Sequence, residues 1–247
     1  MTSLRPRRLR LPSPKLALEL RAGLELASAL AVLPWLRANA RPALPGGVLV
    51  LPGWGAGDTS TGLLRRFLRS LGYWAHGWRQ GRNLDPDEHL AAALGDRLSG
   101  LADRHGAPVS LIGWSLGGVY ARELARRRPE QVSRLVTLAS PLRTQLAAGI
   151  GLHFERALGP AGEAAFPTSA LYSRSDGIVH WRIAQAEPGP RRESIAIETS
   201  HCGFGHHPAT LLVVADRLAE PLDGWQPYRP ATSARIFGVR PEASPAR

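Results

Sequence analysis

A serine set between two glycines is the pattern in this chain that most directly suggests chemistry. Ser115 lies in the run Gly113-Trp114-Ser115-Leu116-Gly117, after a short apolar stretch and before a helical pattern. A serine on a sharp strand-to-helix turn has a strained backbone that passes close to its neighbours, so small residues are needed around it. The free N–H groups and positive dipole end of the following helix would stabilise negative charge there. We therefore predict a nucleophile elbow, with Ser115 as nucleophile.

Two polar residues that follow later predicted strands complete an acid–base set with Ser115. Asp176 comes after a predicted strand at 169–172, and His201 after one at 194–198. In a doubly wound sheet, sites form at the carboxyl ends of the strands, so these three side chains are expected to converge. Because a serine hydroxyl is a poor nucleophile at neutral pH, a histidine must take its proton and a carboxylate must orient the histidine. We predict that His201 and Asp176 have these roles.

Other residues compete for the roles of base and acid. His206 is the second candidate for the histidine, whereas His207 precedes a proline and is expected to cap the last helix or lie at the surface. For the acid, Glu198 falls within a strand pattern and Asp103 within a helix pattern, which favours Asp176. The alternative for Asp176 is a solvated loop carboxylate.

Strands and helices alternate from residue 47 onward, which predicts an α/β fold with a doubly wound, mostly parallel sheet and helices on both faces. About six strands are expected, at 48–51, 73–78, 109–114, 132–138, 169–172 and 194–198. Helices are expected at 61–71, at 86–104, after Ser115 and at 209–218. Asp85 is predicted to cap the second of these helices, with Pro86 at its first position.

The predicted domain at 46–222 contains one insertion and is flanked by a segment on each side. Residues 1–45 are expected to contribute a helix, over 16–36, that packs on the domain or lies at a surface. Residues 141–168 interrupt the alternation as a short lid-like insertion, for which a mobile lid and a packed helix remain equal alternatives. Residues 223–247 show little periodicity and are expected to form a flexible tail.

The bulk composition excludes several classes of function. The formal net charge is +11, but the 31 basic residues, of which only Lys15 is a lysine, are spread along the chain. With no nucleic-acid motif present, we expect no nucleic-acid partner. Motifs for metal or phosphate binding are also missing, so no metal and no cofactor are expected. The one cysteine, Cys202, excludes an intramolecular disulfide.

The N-terminal region has weak signal-peptide-like features. Arginines precede an apolar stretch at 24–36, but Glu19, Arg21 and Glu25 interrupt the apolar pattern. The stretch is also shorter than the ~20 residues that a membrane span needs. A cytoplasmic location is therefore favoured, and contact with a membrane surface remains an alternative.

Five motifs resemble those of the α/β-hydrolase fold, and within it of lipase-like and esterase-like serine hydrolases. They are L51-P-G-W-G55, G77-W-R-Q-G-R-N83, G113-W-S-L-G117, Y172-S-R-S-D-G-I-V-H-W181 and S200-H-C-G-F-G205. Arg79, Arg82 and Asn83, in the second motif, lie either near a pocket mouth or in an ordinary polar connection. The order serine, aspartate, histidine is also that of the fold.

The resemblance implies an oxyanion hole and a reaction. The backbone N–H groups of Trp54 and Leu116 would form the oxyanion hole, with Gly53 and Trp114 beside the substrate. The expected activity is hydrolysis of a small ester, with an apolar acyl group, through an acyl-enzyme. An acyltransferase or thioesterase with the same triad remains an alternative. A ligand-binding protein on a non-catalytic version of the fold is another.

Overall fold

A seven-stranded sheet forms the centre of the molecule. The computed structural model describes residues 17–84, 86–162 and 166–240. Within them, the strands β1 to β7 lie, in chain order, at Gly47–Leu51, Trp74–Gly77, Val109–Trp114, Val132–Leu138, Thr168–Tyr172, Arg192–Ile197 and Val239–Arg240. Their order across the sheet is β2-β1-β3-β4-β5-β6-β7. The first six run parallel, and β7 pairs antiparallel with β6. The predicted doubly wound α/β fold is confirmed.

Helices cover both faces of the sheet. Their bounds are Ala22–Asn39, Gly62–Ser70, Glu88–His105, Leu116–Arg127, Gln145–Leu158, Pro208–Ala219 and Thr232–Ile236. Every residue of β1 is buried, and its side chains alternate between two apolar clusters. Val48 and Val50 pack in one cluster, and Leu49 and Leu51 in the other. A strand buried on both faces is what a parallel sheet between two helical layers requires.

The N-terminal helix, Ala22–Asn39, follows a 3-10 turn at Leu18–Arg21. It packs on the domain through Ala29 and Leu36, which are fully buried, while Leu20 and Leu24 are 85% and 76% exposed. No helix in the described part of the chain has the length and apolarity needed to cross a bilayer.

The helix expected at 86–104 begins two residues later, at Glu88. Asp87 is its N-cap, with an extended backbone and a side chain that accepts a hydrogen bond from the N–H of Leu90 at 2.7 Å. The predicted cap, Asp85, lies outside the described residues. The prediction of Pro86 at the first helical position is wrong, because the second aspartate of the run caps the helix and leaves Glu88 in the first turn, where a negative charge is favourable.

The segment predicted as a lid-like insertion contains one helix, Gln145–Leu158, here called the cover helix. Ala147, Ile150 and Phe154 on its inner side are buried in the core, and Leu152 on its outer side is 55% exposed. The Phe154 ring stacks on Tyr120 with centroids 5.9 Å apart. This packing favours a packed helix over a mobile lid.

Part of the segment expected to be a flexible tail has regular structure. The helix Thr232–Ile236 and the strand Val239–Arg240 lie within it, and Ala234 and Val239 are buried. The seventh strand comes from here, whereas about six were expected. Elements of five and two residues are too short to leave a periodic signal in the sequence.

Substitution of Phe154 tests the packing of the cover helix. Phe154→Ala should lower the free energy of unfolding by about 3–5 kcal/mol, because it removes a buried aromatic ring and leaves a cavity. Leu152→Ala, on the exposed side of the same helix, should change it by less than about 0.5 kcal/mol. Urea denaturation measures both values. Equally small effects would show that the helix is not part of the core.

Candidate active site

Ser115 occupies a backbone conformation that few non-glycine residues adopt. Its φ is 52° and its ψ is −121°, at the junction between β3 and the helix Leu116–Arg127, here called the elbow helix. Its N–H donates to Leu138 O at 2.7 Å, and its carbonyl accepts from the N–H of Gly118 at 3.0 Å. A strained conformation persists only where the surroundings hold it, and such strain clusters at functional sites.

The glycines around Ser115 allow the backbone to come close to other segments. A Cβ atom on Gly117 would lie 2.5 Å from the carbonyl oxygens of Leu51 and Pro52, and one on Gly113 would clash with the backbone of Gly117 and Gly118. Larger residues would therefore push the turn apart. The sharp turn has the shape that the sequence predicts for a nucleophile elbow, and the nucleophilic role of Ser115 stays a proposal.

Asp176 and His201 form a buried pair. His201 Nδ1 lies 2.8 Å from Asp176 Oδ2, and the two residues are 6% and 5% exposed. The other carboxylate oxygen accepts hydrogen bonds from the N–H groups of Ile178 at 2.8 Å and Val179 at 2.7 Å. These bonds fix the plane of the carboxylate, so Asp176 is placed to hold the His201 ring in one orientation.

Trp114 connects the loop of His201 to the strand that carries Ser115. Its indole N–H donates to His201 O at 3.2 Å, and the two rings lie 6.4 Å apart. In the described part of the chain, no hydrogen bond joins the Ser115 hydroxyl to His201. Contacts between a nucleophile and its base are often long until substrate binds. The structure thus brings Asp176 and His201 into direct contact, and it places Ser115 next in sequence to Trp114, which donates a hydrogen bond to the backbone of His201.

The competing residues have other partners. His206 donates to Ala22 O at 3.0 Å, and burial lowers the pKa of its imidazole. His207 caps the helix Pro208–Ala219 by accepting from the N–H of Ala209, as predicted, and burial lowers its pKa to about 4. Glu198 accepts from the Ser175 hydroxyl at 3.4 Å instead of from His201.

The predicted oxyanion-hole donors are the backbone N–H groups of Trp54 and Leu116, near Ser115. A Cβ atom on Gly53 would lie 3.2 Å from Ser115 Cβ, so the turn that carries Gly53 and Trp54 borders the serine. Leu116 is the first residue of the elbow helix, where an N–H has no partner within the helix. Among the described residues, neither Trp54 N–H nor Leu116 N–H donates a hydrogen bond.

Asn83 anchors the turn that carries Trp54. It is fully buried, and its side-chain amide donates to Pro52 O at 2.9 Å and accepts from the Tyr120 hydroxyl at 3.0 Å. Its backbone carbonyl accepts from the N–H of Gly55 at 2.5 Å. Sequence reasoning left the role of Asn83 open. The structure shows that it fixes the backbone on both sides of Trp54.

Arg82 is exposed and donates from Nε to Gly55 O at 3.1 Å, on the same turn. Arg79 is exposed as well and has a φ of 62°. Its N–H donates to the carboxylate of Asp58 at 3.2 Å. Both arginines therefore belong to the connection between the loop after β2 and the loop after β1.

Glu19 reaches this site from the N-terminal segment, and sequence reasoning missed it. Its carboxylate accepts hydrogen bonds from the N–H groups of Gly177, His201 and Cys202. In the sequence, Glu19 is only a charge that interrupts an apolar stretch. No local signal could have found these contacts, because the partners lie more than 150 residues away along the chain.

Comparison with known proteins gives one family and a set of similar structures. Residues 48–243 match a model of the alpha/beta hydrolase family. A segment of 56 residues is 43% identical to the biotin biosynthesis bifunctional protein BioHC of Teredinibacter turnerae. That segment covers 23% of this chain and only 9% of BioHC.

Solved structures of hydrolases have the same fold. The lipase BlEst2 of Bacillus licheniformis has a TM-score of 0.52 at 16% identity, over 73% of this chain and 94% of that one. A structure of the metagenome-derived lipolytic enzymes LipS and LipT has a TM-score of 0.54 at 17% identity, over 72% and 93%. A pyrethroid hydrolase of Sphingobium faniae has a TM-score of 0.54 at 15% identity, over 72% and 99%. Similarity at these identities shows the fold, and the family match over residues 48–243 shows that this chain belongs to the alpha/beta hydrolase family.

Proposed function

We propose that this protein is a serine hydrolase that cleaves carboxylic esters through an acyl-enzyme on Ser115. The observation that carries the proposal is the buried Asp176–His201 pair, 2.8 Å apart, together with a serine of strained backbone that follows Trp114, the residue that donates a hydrogen bond to His201 O. A nucleophile, a base and a group that orients the base are the parts that nucleophilic catalysis needs.

The proposed reaction moves one proton back and forth through His201. Ser115 Oγ attacks the ester carbonyl while His201 Nε2 takes the hydroxyl proton and then gives it to the leaving alcohol. Water attacks the acyl-enzyme next, and His201 takes the proton of the water and returns it to Ser115. Asp176 keeps the Nδ1–H directed toward itself and stabilises the imidazolium without becoming protonated.

The oxyanion of each tetrahedral intermediate would accept hydrogen bonds from the N–H groups of Trp54 and Leu116. Donors already in place stabilise charge that develops in the transition state, since no reorganisation is needed at that moment. Their availability in the structure supports this assignment.

An ester with an apolar acyl group is the substrate class that we propose. The side chains of Trp54 and Ile178, on the loops that carry the oxyanion donor and Asp176, are 69% and 55% exposed. An apolar part of a substrate would lose water against them. Several similar structures are named as a lipase, lipolytic enzymes and a pyrethroid hydrolase, which agrees with this class.

Ser115→Ala should abolish labelling by a fluorophosphonate probe and lower kcat/KM for p-nitrophenyl butyrate by about 10⁴-fold or more, because the nucleophile is lost. Ser70→Ala, an exposed serine on the helix Gly62–Ser70, is the control and should leave both unchanged. Unchanged turnover in Ser115→Ala would refute the proposed function. Product analysis with a competing alcohol or thioester separates hydrolysis of esters from acyl transfer and thioester cleavage.

Asn83→Ala should lower kcat for the same ester by about 100-fold and change KM less. Loss of the amide releases the turn that carries Trp54, and one misplaced oxyanion donor costs about 2.7–4 kcal/mol of barrier. The control is Asn39→Ala at the exposed end of the N-terminal helix. Steady-state kinetics on folded protein measure both parameters. A variant that raises KM alone would show that Asn83 serves binding and not the oxyanion.

A further inference from the structure

The N-terminal segment contacts both loops that carry the Asp176–His201 pair. It consists here of the 3-10 turn Leu18–Arg21 and the N-terminal helix, and it precedes residue 48, where the match to the family model begins. The acid loop (173–179) carries Asp176, and the histidine loop (199–205) carries His201. The contacts that this segment makes are therefore made by residues outside the part of the chain that the family model matches.

One carboxylate joins the two loops. Glu19 Oε1 accepts from the N–H of Gly177, next to Asp176, and from the N–H of His201 itself, each at 2.9 Å. Its Oε2 accepts from the N–H of Cys202 at 2.9 Å. Hydrogen bonds to a charged acceptor are about twice as strong as those between neutral groups. The side chain of Glu19 thus binds the backbone of the acid loop and the backbone of the histidine loop at the same time.

A second carboxylate and an arginine extend this contact. Glu25 accepts from the N–H of Ser200 at 2.9 Å and from the hydroxyl of the same residue. Arg21 Nε lies 3.0 Å from Glu25 Oε1, and another nitrogen of Arg21 donates to the Ser175 hydroxyl at 2.7 Å. The approach is close enough that a Cβ atom on Gly203 would clash with Glu25. The N-terminal segment is therefore tied to each loop at more than one point.

We propose that Glu19 and Glu25 are positioning residues, which hold the acid loop and the histidine loop in the arrangement that keeps Asp176 hydrogen bonded to His201. This inference rests on the proposed function. Loops at the surface are usually mobile, and a catalytic group displaced by about 1 Å can cost a hundredfold in rate. The two glutamates restrain both loops with charge-assisted hydrogen bonds to backbone N–H groups at 177, 200, 201 and 202.

The charge of Glu19 also acts on its neighbours. Burial raises the pKa of Glu19, but the three N–H hydrogen bonds and the nearby His201 outweigh this, so the pKa lies below its ordinary value. Burial, with the charge and a hydrogen bond of Glu19, raises the pKa of the Cys202 thiol to about 11. Although its thiol is partly buried, Cys202 as a residue is accessible to solvent, and it is the one cysteine of the chain. Its reactivity therefore reports on Glu19 independently of catalysis.

The test compares Glu19→Gln, which keeps the size of the side chain, with Glu130→Gln, an exposed glutamate before the amino end of β4. In Glu19→Gln, kcat for p-nitrophenyl butyrate should fall about 10- to 100-fold with a smaller change in KM. Alkylation of Cys202 by iodoacetamide at pH 8 should become about tenfold faster.

The outcomes separate this inference from the proposed function. If the wild-type protein neither turns over esters nor takes the fluorophosphonate label, the proposed function fails, and the Cys202 rate alone decides whether Glu19 holds the histidine loop. An unchanged Cys202 rate in Glu19→Gln overturns the contact. A faster rate of Cys202 alkylation with unchanged kcat overturns the positioning role. Glu25→Gln is the second variant, and it should lower kcat with a smaller effect on Cys202, because Glu25 raises the pKa of Cys202 less than Glu19 does.

Stability should depend on pH through Glu19. Because its folded-state pKa is depressed, its contribution is complete above the ordinary value of 4.5 and is lost as pH falls through the folded pKa. His201, Cys202, Arg21 and Glu25 are the other ionisable groups around it. Urea denaturation should find wild type more stable than Glu19→Gln at pH 7 and the difference smaller at about pH 3.5. A difference that does not shrink would contradict the role of the charge.

Discussion

The left-handed backbone of Ser115 is the constraint on which the arrangement of this site depends. A non-glycine residue at a φ of 52° is stable only because the turn around it is tightly held. The N–H of Ser115 bonds to β4 through Leu138, and the glycines at 113 and 117 let the strand, the helix and the loop after β1 meet without clashes. The same closeness brings Gly53 against the serine.

The proposed triad needs more support than the sheet alone provides. The elbow is built into β3 and the elbow helix, whereas Asp176 and His201 lie on loops. Asp176 is fixed by two N–H groups of its own loop, and the backbone of His201 is held by Trp114 and Glu19. In this account, one part of the site is held by the fold that the family shares, and the other is held partly by a segment outside the matched residues.

Strong periodic patterns allowed most of the fold to be predicted from the sequence. The strands β3 and β4 have the bounds that were expected, because a run of buried aliphatic residues between polar turns has few other solutions. The start of the helix at Glu88 was missed by two residues, since two aspartates in one short run can both act as caps. The strand Val239–Arg240 was missed because two residues carry no period.

The candidate site was predictable where chemistry imposes a local pattern, and not where it depends on distant contacts. Ser115 stands out through its glycines, and the structure pairs Asp176 with His201 as the strand ends suggested. Asn83 and Glu19 gave no such signal. Their roles arise from hydrogen bonds to backbone groups of other loops. Since nearly every residue has the same backbone donor and acceptor, the sequence does not indicate which of them a side chain will bind.

The most direct measurement for the central claim is the mass of the protein during turnover of a p-nitrophenyl ester, quenched with acid and mapped by peptide mass spectrometry. The account predicts a single acyl group per chain, on the peptide that contains Ser115, with a burst of p-nitrophenol of matching size. Turnover with no acylated peptide, or with the acyl group on another residue, would contradict it.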